Sequence, residues 1–170
     1  MAAELKDERL FTYEPAHMLR DATNARILAE LHRDPRQTMA ALGRRIGMSS
    51  PAVTERVRRL EEAGVIRGYH IDLDPAALGL PLSAYIRIRP NAGQLPTIAE
   101  LARRIPEVVE CHRITGEDCF ILKVHLPAMD QLDRILDRFL LHGNTTTSII
   151  QSSPVPPRLP PLCMAGKPAS

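Results

Sequence analysis

Residues 38–68, TMAALGRRIGMSSPAVTERVRRLEEAGVIRG, constrain the chain most, because they read as two short helices with room between them for only a tight turn. Met39, Leu42 and Ile46 recur at helical spacing, as do Val53, Val57 and Leu60, so each helix has one apolar stripe to bury and one face left wet. Ser50 before Pro51 reads as the start of the second helix: the hydroxyl accepts an orphan backbone N–H, and proline at the first helical position loses no donor the helix needs. Gly64, after Leu60-Glu61-Glu62-Ala63, supplies the left-handed residue that commonly ends a helix. The expected order is helix, turn, helix and then a strand, with a β-hairpin beside the pair.

The second helix carries Arg56, Arg58 and Arg59. Steps of about 100° per residue put Pro51, Thr54, Glu55, Arg58 and Glu62 opposite the Val53/Val57/Leu60 stripe, with Arg59 on the flank. A face of this kind suits a groove of double-stranded DNA. Arg58 can fork onto guanine O6 and N7, while Ser49, Ser50 and Thr54 at the amino end suit phosphate oxygens or base edges. Arg56 falls nearer the buried stripe, where a carboxylate inside the fold competes with DNA for it. An arginine run is most often just a solvated face. Here the preceding short helix and the local charge speak for the groove. Residues 19–70 hold ten basic side chains against six acidic, a net of +4, whereas residues 71–170 hold ten of each. A positive patch binds phosphate by releasing counterions, so salt should weaken it steeply.

The chain has 170 residues, 44% hydrophobic and 25% charged, which suits one large or two small globular domains. No window approaches an apolar membrane span, and the amino terminus MAAELKDERLF is too charged for a signal peptide, so a cytoplasmic protein is expected. Cys111, Cys119 and Cys163 are odd in number and lack CxxC spacing, which argues against a disulfide framework.

Composition divides the chain further. Residues 1–18 lack periodicity and read as a flexible leader or a first helix too short to stand alone; residues 19–72 are expected to make the winged helix-turn-helix domain; residues 73–80, with Asp74-Pro75-Ala76-Ala77-Leu78-Gly79, read as a hinge with one helical turn. Residues 154–170, PVPPRLPPLCMAGKPAS, are too rich in proline to continue a helix or a central strand.

Between hinge and tail, residues 81–153, the period switches repeatedly. Leu82, Ala84, Ile86 and Ile88 alternate with Ser83, Tyr85, Arg87 and Arg89, the mark of a strand with one buried face. Ile98, Leu101, Ala102 and Ile105 follow at helical spacing. Strands are expected over Val108–Ile114 and Cys119–Leu126, joined by the turn Thr115-Gly116-Glu117-Asp118. A helix on Met129, Leu132, Leu136 and Phe139 and a last strand over Thr145–Ser153 complete the order βαββαβ. That order is the ferredoxin-like split unit, an antiparallel sheet with both helices on one face. The fold class is therefore α+β.

The stretches RILAELHRDPR (26–36), SSPAVTERVRRLEEAGVIRGY (49–69) with DPAALG (74–79), and ECHRITGEDCFILKV (110–124) resemble the Lrp/AsnC, or feast/famine, family of transcription regulators. The resemblance covers roughly residues 20–153, and its middle stretch is the most specific. It implies a homodimer whose sheets pair face to face, further assembly to a tetramer or octamer, and an amino acid effector that modulates DNA binding. It also places the effector near Gly116, Glu117 and Asp118. There, backbone N–H groups around Gly116 can take an α-carboxylate and Glu117 or Asp118 an ammonium. A hairpin turn favours the same residue types without any ligand. The chain departs from the pattern in carrying Cys119 where many members have an aspartate.

Other chemistry finds little footing. Cys111, His112, Cys119 and His125 fall on neighbouring strands, but their spacing matches no zinc pattern, and Gly43 and Gly47 lack the lysine and strand of a phosphate loop. No catalytic motif is present, so neither enzyme activity nor a metal or cofactor is expected. Two alternatives to a specific regulator stay open: an architectural DNA binder with little sequence preference, and a small-molecule-sensing assembly module without specific DNA binding.

Overall fold

The computed structural model describes residues 18–158, 160 and 162. Residues 1–17 of the expected leader lie outside them, as does the tail beyond Arg158 apart from Pro160 and Leu162. The described residues divide into two units, a helical one up to Ile71 and a second spanning Asp72–Pro156.

The helical unit has three helices: α1 (Ala22–Arg33), α2 (Met39–Ile46) and α3 (Ser50–Glu62). Each starts on a side chain that accepts an orphan amide: Asp21 from Thr23, Thr38 from Ala41 and Ser49 from Ala52. The cap of α3 is thus one residue earlier than Ser50, and Pro51 sits in the first turn, where its missing N–H leaves no gap. Gly47 (φ +78) ends α2 in the left-handed region, and Gly64 (φ +70) follows α3 in the same conformation. The turn between α2 and α3 is tight for a second reason. A Cβ on Gly43 would stand 2.6 Å from the carbonyl oxygen of Met48, whose own amide donates to the Gly43 carbonyl at 2.8 Å. Ile27, Leu31, Leu42, Ile46, Val53, Val57 and Leu60 form the core, with Met18, Leu28, Met39, Met48, Val65 and Ile66 packed against it. Each fully buried aliphatic side chain contributes about 1.5–3 kcal/mol.

The strand expected after α3 is absent: residues 63–81 carry none. The Val65 and Ile66 amides both donate to the Leu60 carbonyl, at 2.9 and 3.0 Å, which turns the chain back onto the three-helix core rather than out into a ladder. Further on, Tyr69 and Ile71 are exposed. The residues expected as a hinge form one helical turn, with the Asp74 carboxylate accepting from Ala76 at 2.9 Å and Gly79 (φ +79) closing it.

The second unit runs β1 (Leu82–Pro90), α4 (Leu95–Arg103), β2 (Val108–Arg113), β3 (Phe120–Leu126), α5 (Met129–Leu140) and β4 (Gly143–Ile149). Its sheet has the order β2-β3-β1-β4, with every neighbour antiparallel. Ala84, Ile86 and Ile88 of β1 and Phe120, Leu122, Val124 and Leu126 of β3 face both helices and bury Ile98, Ala102, Leu132, Ile135 and Phe139 against them. Helix α5 is turned slightly from the expected stripe: Ile135 is in the core, Leu136 only packs against it, and Met129 at the first turn is exposed. The last strand starts at Gly143 and ends at Ile149, ahead of the expected Thr145–Ser153, because Pro90 at the end of β1 already pairs with Gly143.

Candidate nucleic-acid interface

Helix α3 presents the face its sequence implied, but its polar groups are already engaged. Ser49 spends its side-chain oxygen on the cap, and the Thr54 hydroxyl donates back to the Ser50 carbonyl at 2.8 Å. Ser50 is half-buried, while Pro51 and Thr54 are exposed. Beyond them the charged side chains form one array. Arg58 Nε and Nη2 donate to the two Glu55 carboxylate oxygens at 2.9 and 2.8 Å, Arg58 Nη1 donates to Glu62, and Arg59 Nε donates to Glu55 at 2.8 Å. Bonds from Arg58 and then Arg59 bring the Glu55 carboxyl down to about 2, and Glu55 in turn holds the Arg58 guanidinium above its ordinary range.

Arg56 takes no part in that face. Its Nη1 donates to the Asp21 carboxylate and, at 2.9 Å, to the Asn24 side-chain oxygen, and the bond from Arg56 lowers the Asp21 pKa. Asn24 is the buried polar side chain of α1, and its amide nitrogen donates to the Met18 carbonyl at 2.9 Å. Arg56 therefore ties α3 to the start of α1. The contest between an internal carboxylate and DNA goes to the carboxylate.

Cations without a counterion lie elsewhere on the unit. Among the described residues of this unit Arg20, Arg26, Arg36, Arg44 and Arg67 are exposed and have no ion pair, Arg26 donating to the Arg45 carbonyl at 3.3 Å and Arg44 being in the last turn of α2. Sequence reading passed over Arg44; its signal was the lack of any acidic residue three or four positions away on α2.

The other expected site is the β2–β3 turn. Gly116 has φ +107 and nothing crowds its Cβ position, so the turn depends on glycine for its backbone and not for space. The Ile114 amide donates to the Cys119 carbonyl at 2.9 Å and closes the turn's base. Glu117 and Asp118, expected as ammonium receptors, already face cations: Arg89 donates to Glu117, and Asp118 lies 3.7 Å from Arg87 and 3.8 Å from Arg89. The turn thus gathers two arginines of β1, which sequence alternation had placed on the open face of the sheet without showing what they oppose. Cys111 and His112 are successive residues of β2 and point to opposite faces, so they cannot share a metal. Among the described residues no group of three His, Cys, Asp or Glu is placed to hold one.

The Lrp/AsnC ligand binding domain model matches residues 83–160, and the winged helix-turn-helix DNA-binding model matches residues 20–67. The HTH-type transcriptional regulator YezC of Bacillus subtilis is 38% identical over 78% of this chain and 94% of its own length.

The chain belongs to the Lrp/AsnC family.

Solved structures agree. LrpC of Bacillus subtilis superposes with a TM-score of 0.74 at 31% identity, covering 77% of this chain and 94% of that one. The feast or famine regulatory protein of M. tuberculosis complexed with L-methionine gives a TM-score of 0.76 at 32% identity, covering 82% and 97%. The chain is accordingly a helix-turn-helix transcriptional regulator of the Lrp/AsnC type, with the DNA-binding model over residues 20–67 and the ligand binding domain model over residues 83–160. No helix among the described residues is long and apolar enough to cross a membrane.

Proposed function

We propose that this Lrp/AsnC regulator reads a specific duplex through the exposed face of α3, with Ser49, Ser50, Pro51, Thr54, Glu55, Arg58 and Arg59 at the groove. An amino acid at the Gly116-Glu117-Asp118 turn alters that binding. The observation that carries the first part is the capped, proline-started α3 with its charged side chains opposite the stripe buried on α1 and α2. Half-sites spaced by a whole helical turn, about 10 base pairs, need two such heads. The protein therefore works as a homodimer or a higher assembly, tetramer or octamer. The open sheet face with exposed Tyr85, Arg87 and Arg89 supports a subunit contact there. It acts in the cytoplasm, and its role is regulation without catalysis.

The effector reading draws on the relative solved with L-methionine and on the chemistry of the turn. Arg87 and Arg89 beside Glu117 and Asp118 offer one group of each sign to a zwitterion. An effector can shift DNA binding only by preferring one arrangement of the heads. Isothermal titration of the full chain against the twenty amino acids should give heat with one or a few, and a flat trace for all of them removes the effector. Footprinting on the DNA upstream of its own coding sequence tests the rest: a protected site preferred over random DNA by about 10³ supports specific regulation. Uniform protection instead supports an architectural binder, the reading that the unpaired Arg20, Arg36, Arg44 and Arg67 favour.

A further inference from the structure

The array on α3 has a consequence for how wrong sequences are rejected. The Nε/Nη2 edge of the Arg58 guanidinium forks onto the Glu55 carboxylate, Nη1 donates to Glu62, and Glu55 also holds Arg59. An Nε/Nη2 fork from Arg58 onto a guanine releases the Glu55 carboxylate from Arg58. By helical geometry Glu55 lies near the middle of the face opposite the buried stripe, so the released carboxylate stays inside the groove, facing the phosphates. In the major groove only an exocyclic amino group, cytosine N4 or adenine N6, can donate to it. A sequence that offers Arg58 its guanine and Glu55 its amino group satisfies both; any other leaves a bare anion in a negative field.

We propose that Glu55 is a specificity-determining residue of α3, which holds Arg58 and Arg59 away from arbitrary DNA and yields them only where a base amino group replaces them on its carboxylate. The inference rests on α3 entering the groove. It differs from a simple effect of net charge, because Glu61 carries the same charge on the same helix but sits exposed on its flank and accepts a bond from the Tyr69 hydroxyl at 2.8 Å, with no hold on Arg58.

The test uses the full chain and two duplexes, one selected by the wild-type protein from a random-sequence pool and a scrambled copy of it, titrated over a range of salt. Glu55→Gln should raise affinity for the scrambled duplex about tenfold and for the selected duplex far less, with the salt slope on the scrambled duplex steeper by about 1 as the arginines turn to phosphate. Glu61→Gln should raise both affinities by one small factor. Equal gains from Glu55→Gln on both duplexes, or none on either, overturn the proposal. Arg58→Ala separates its failure from that of the underlying reading: if that variant leaves both duplexes unaffected, or if the pool yields no enriched sequence, α3 is not in the groove and the proposal falls with it. Circular dichroism of the variants checks that the exposed substitutions leave the helices formed.

Discussion

Two arginine pairs in this molecule are each neutralised by two acidic residues, and they are built in opposite ways. On α3, Arg58 and Arg59 meet Glu55 and Glu62 three and four residues away on the same helix. In the sheet unit, Arg87 and Arg89 meet Glu117 and Asp118 across a long separation in sequence, brought there by the pairing of β1 with β3. The first array can dissolve and re-form without moving the backbone, because all its members ride on one cylinder. The second ties a turn to a strand, so anything that competes for one member also loosens the connection. Under the proposed function, a helix that trades internal partners for DNA suits the first design, and a turn that reports a small molecule to its sheet suits the second.

The largest effect expected from breaking this comparison is at Arg58. Arg58→Ala should weaken binding to a selected duplex by about 1–3 kcal/mol, the value of one bidentate base contact, with a smaller loss on scrambled DNA. Competition gel shifts measure both. Equal losses would make Arg58 a phosphate contact and the α3 array a passive surface feature.

The sheet array comes next. Gly116→Val puts a β-branched side chain at φ +107 and should cost about 1–2 kcal/mol, seen as a lower melting temperature of the sheet unit, together with faster hydrogen exchange at Glu117 and Asp118. Arg89→Ala, by contrast, removes only exposed ion pairs and should cost no more than about 1 kcal/mol. If the two variants melt alike, the arginines and not the glycine hold the turn, and the contrast with α3 narrows.

How far each array could be read from the chain follows from the same difference. The face of α3 was legible because helical geometry fixes which residues share a side: Glu55, Arg58 and Glu62 fall together from their numbers alone. What spacing does not give is which partner an arginine prefers, and Arg56 went to Asp21 and Asn24 on another helix. In the sheet, alternation put Arg87 and Arg89 on the open face, but their opposition to Glu117 and Asp118 depends on register, and a period of two carries no register. The same gap displaced β4: Gly143 and Asn144 have little strand propensity of their own, and pairing with Pro90 and Arg89 makes them strand. A strand was expected after α3, yet among the described residues the helical unit has no strand with which it could share hydrogen bonds. The order βαββαβ was legible because its two helical stripes and its strand alternation are both local signals.

A smaller effect sharpens the comparison from a third side. Arg44 on α2 has no ion pair to give up, so Arg44→Ala should reduce the slope of log affinity against log salt by about 1, and by the same amount on selected and scrambled duplexes. Arg59→Ala should change the slope less, since Arg59 is partly neutralised by Glu55 before DNA arrives. Similar slopes for the two would mean that the α3 pairs open too easily to matter.

The smallest effect is on stability against acid, and its sign is fixed by the direction of the shift. The Glu55 carboxyl is lowered to about 2 in the folded helix by bonds from Arg58 and then Arg59, against an ordinary value of 4.5. Its contribution is therefore complete above pH 4.5 and is lost as the pH falls toward 2. Asp21 is also lowered, by Arg56, and loses its contribution in the same direction. Thermal melts followed by circular dichroism between pH 6 and pH 2 should show the wild-type helical unit losing more than Glu55→Gln, which lacks the Glu55 part but keeps Asp21. The gap between the two melting curves should be small, because solvent screens an exposed ion pair, and should close at the acid end. Curves that run parallel throughout would mean that the unfolded chain already pairs Glu55 with its neighbours, as residues three and four apart on a nascent helix can, and that the α3 array owes nothing to the fold around it.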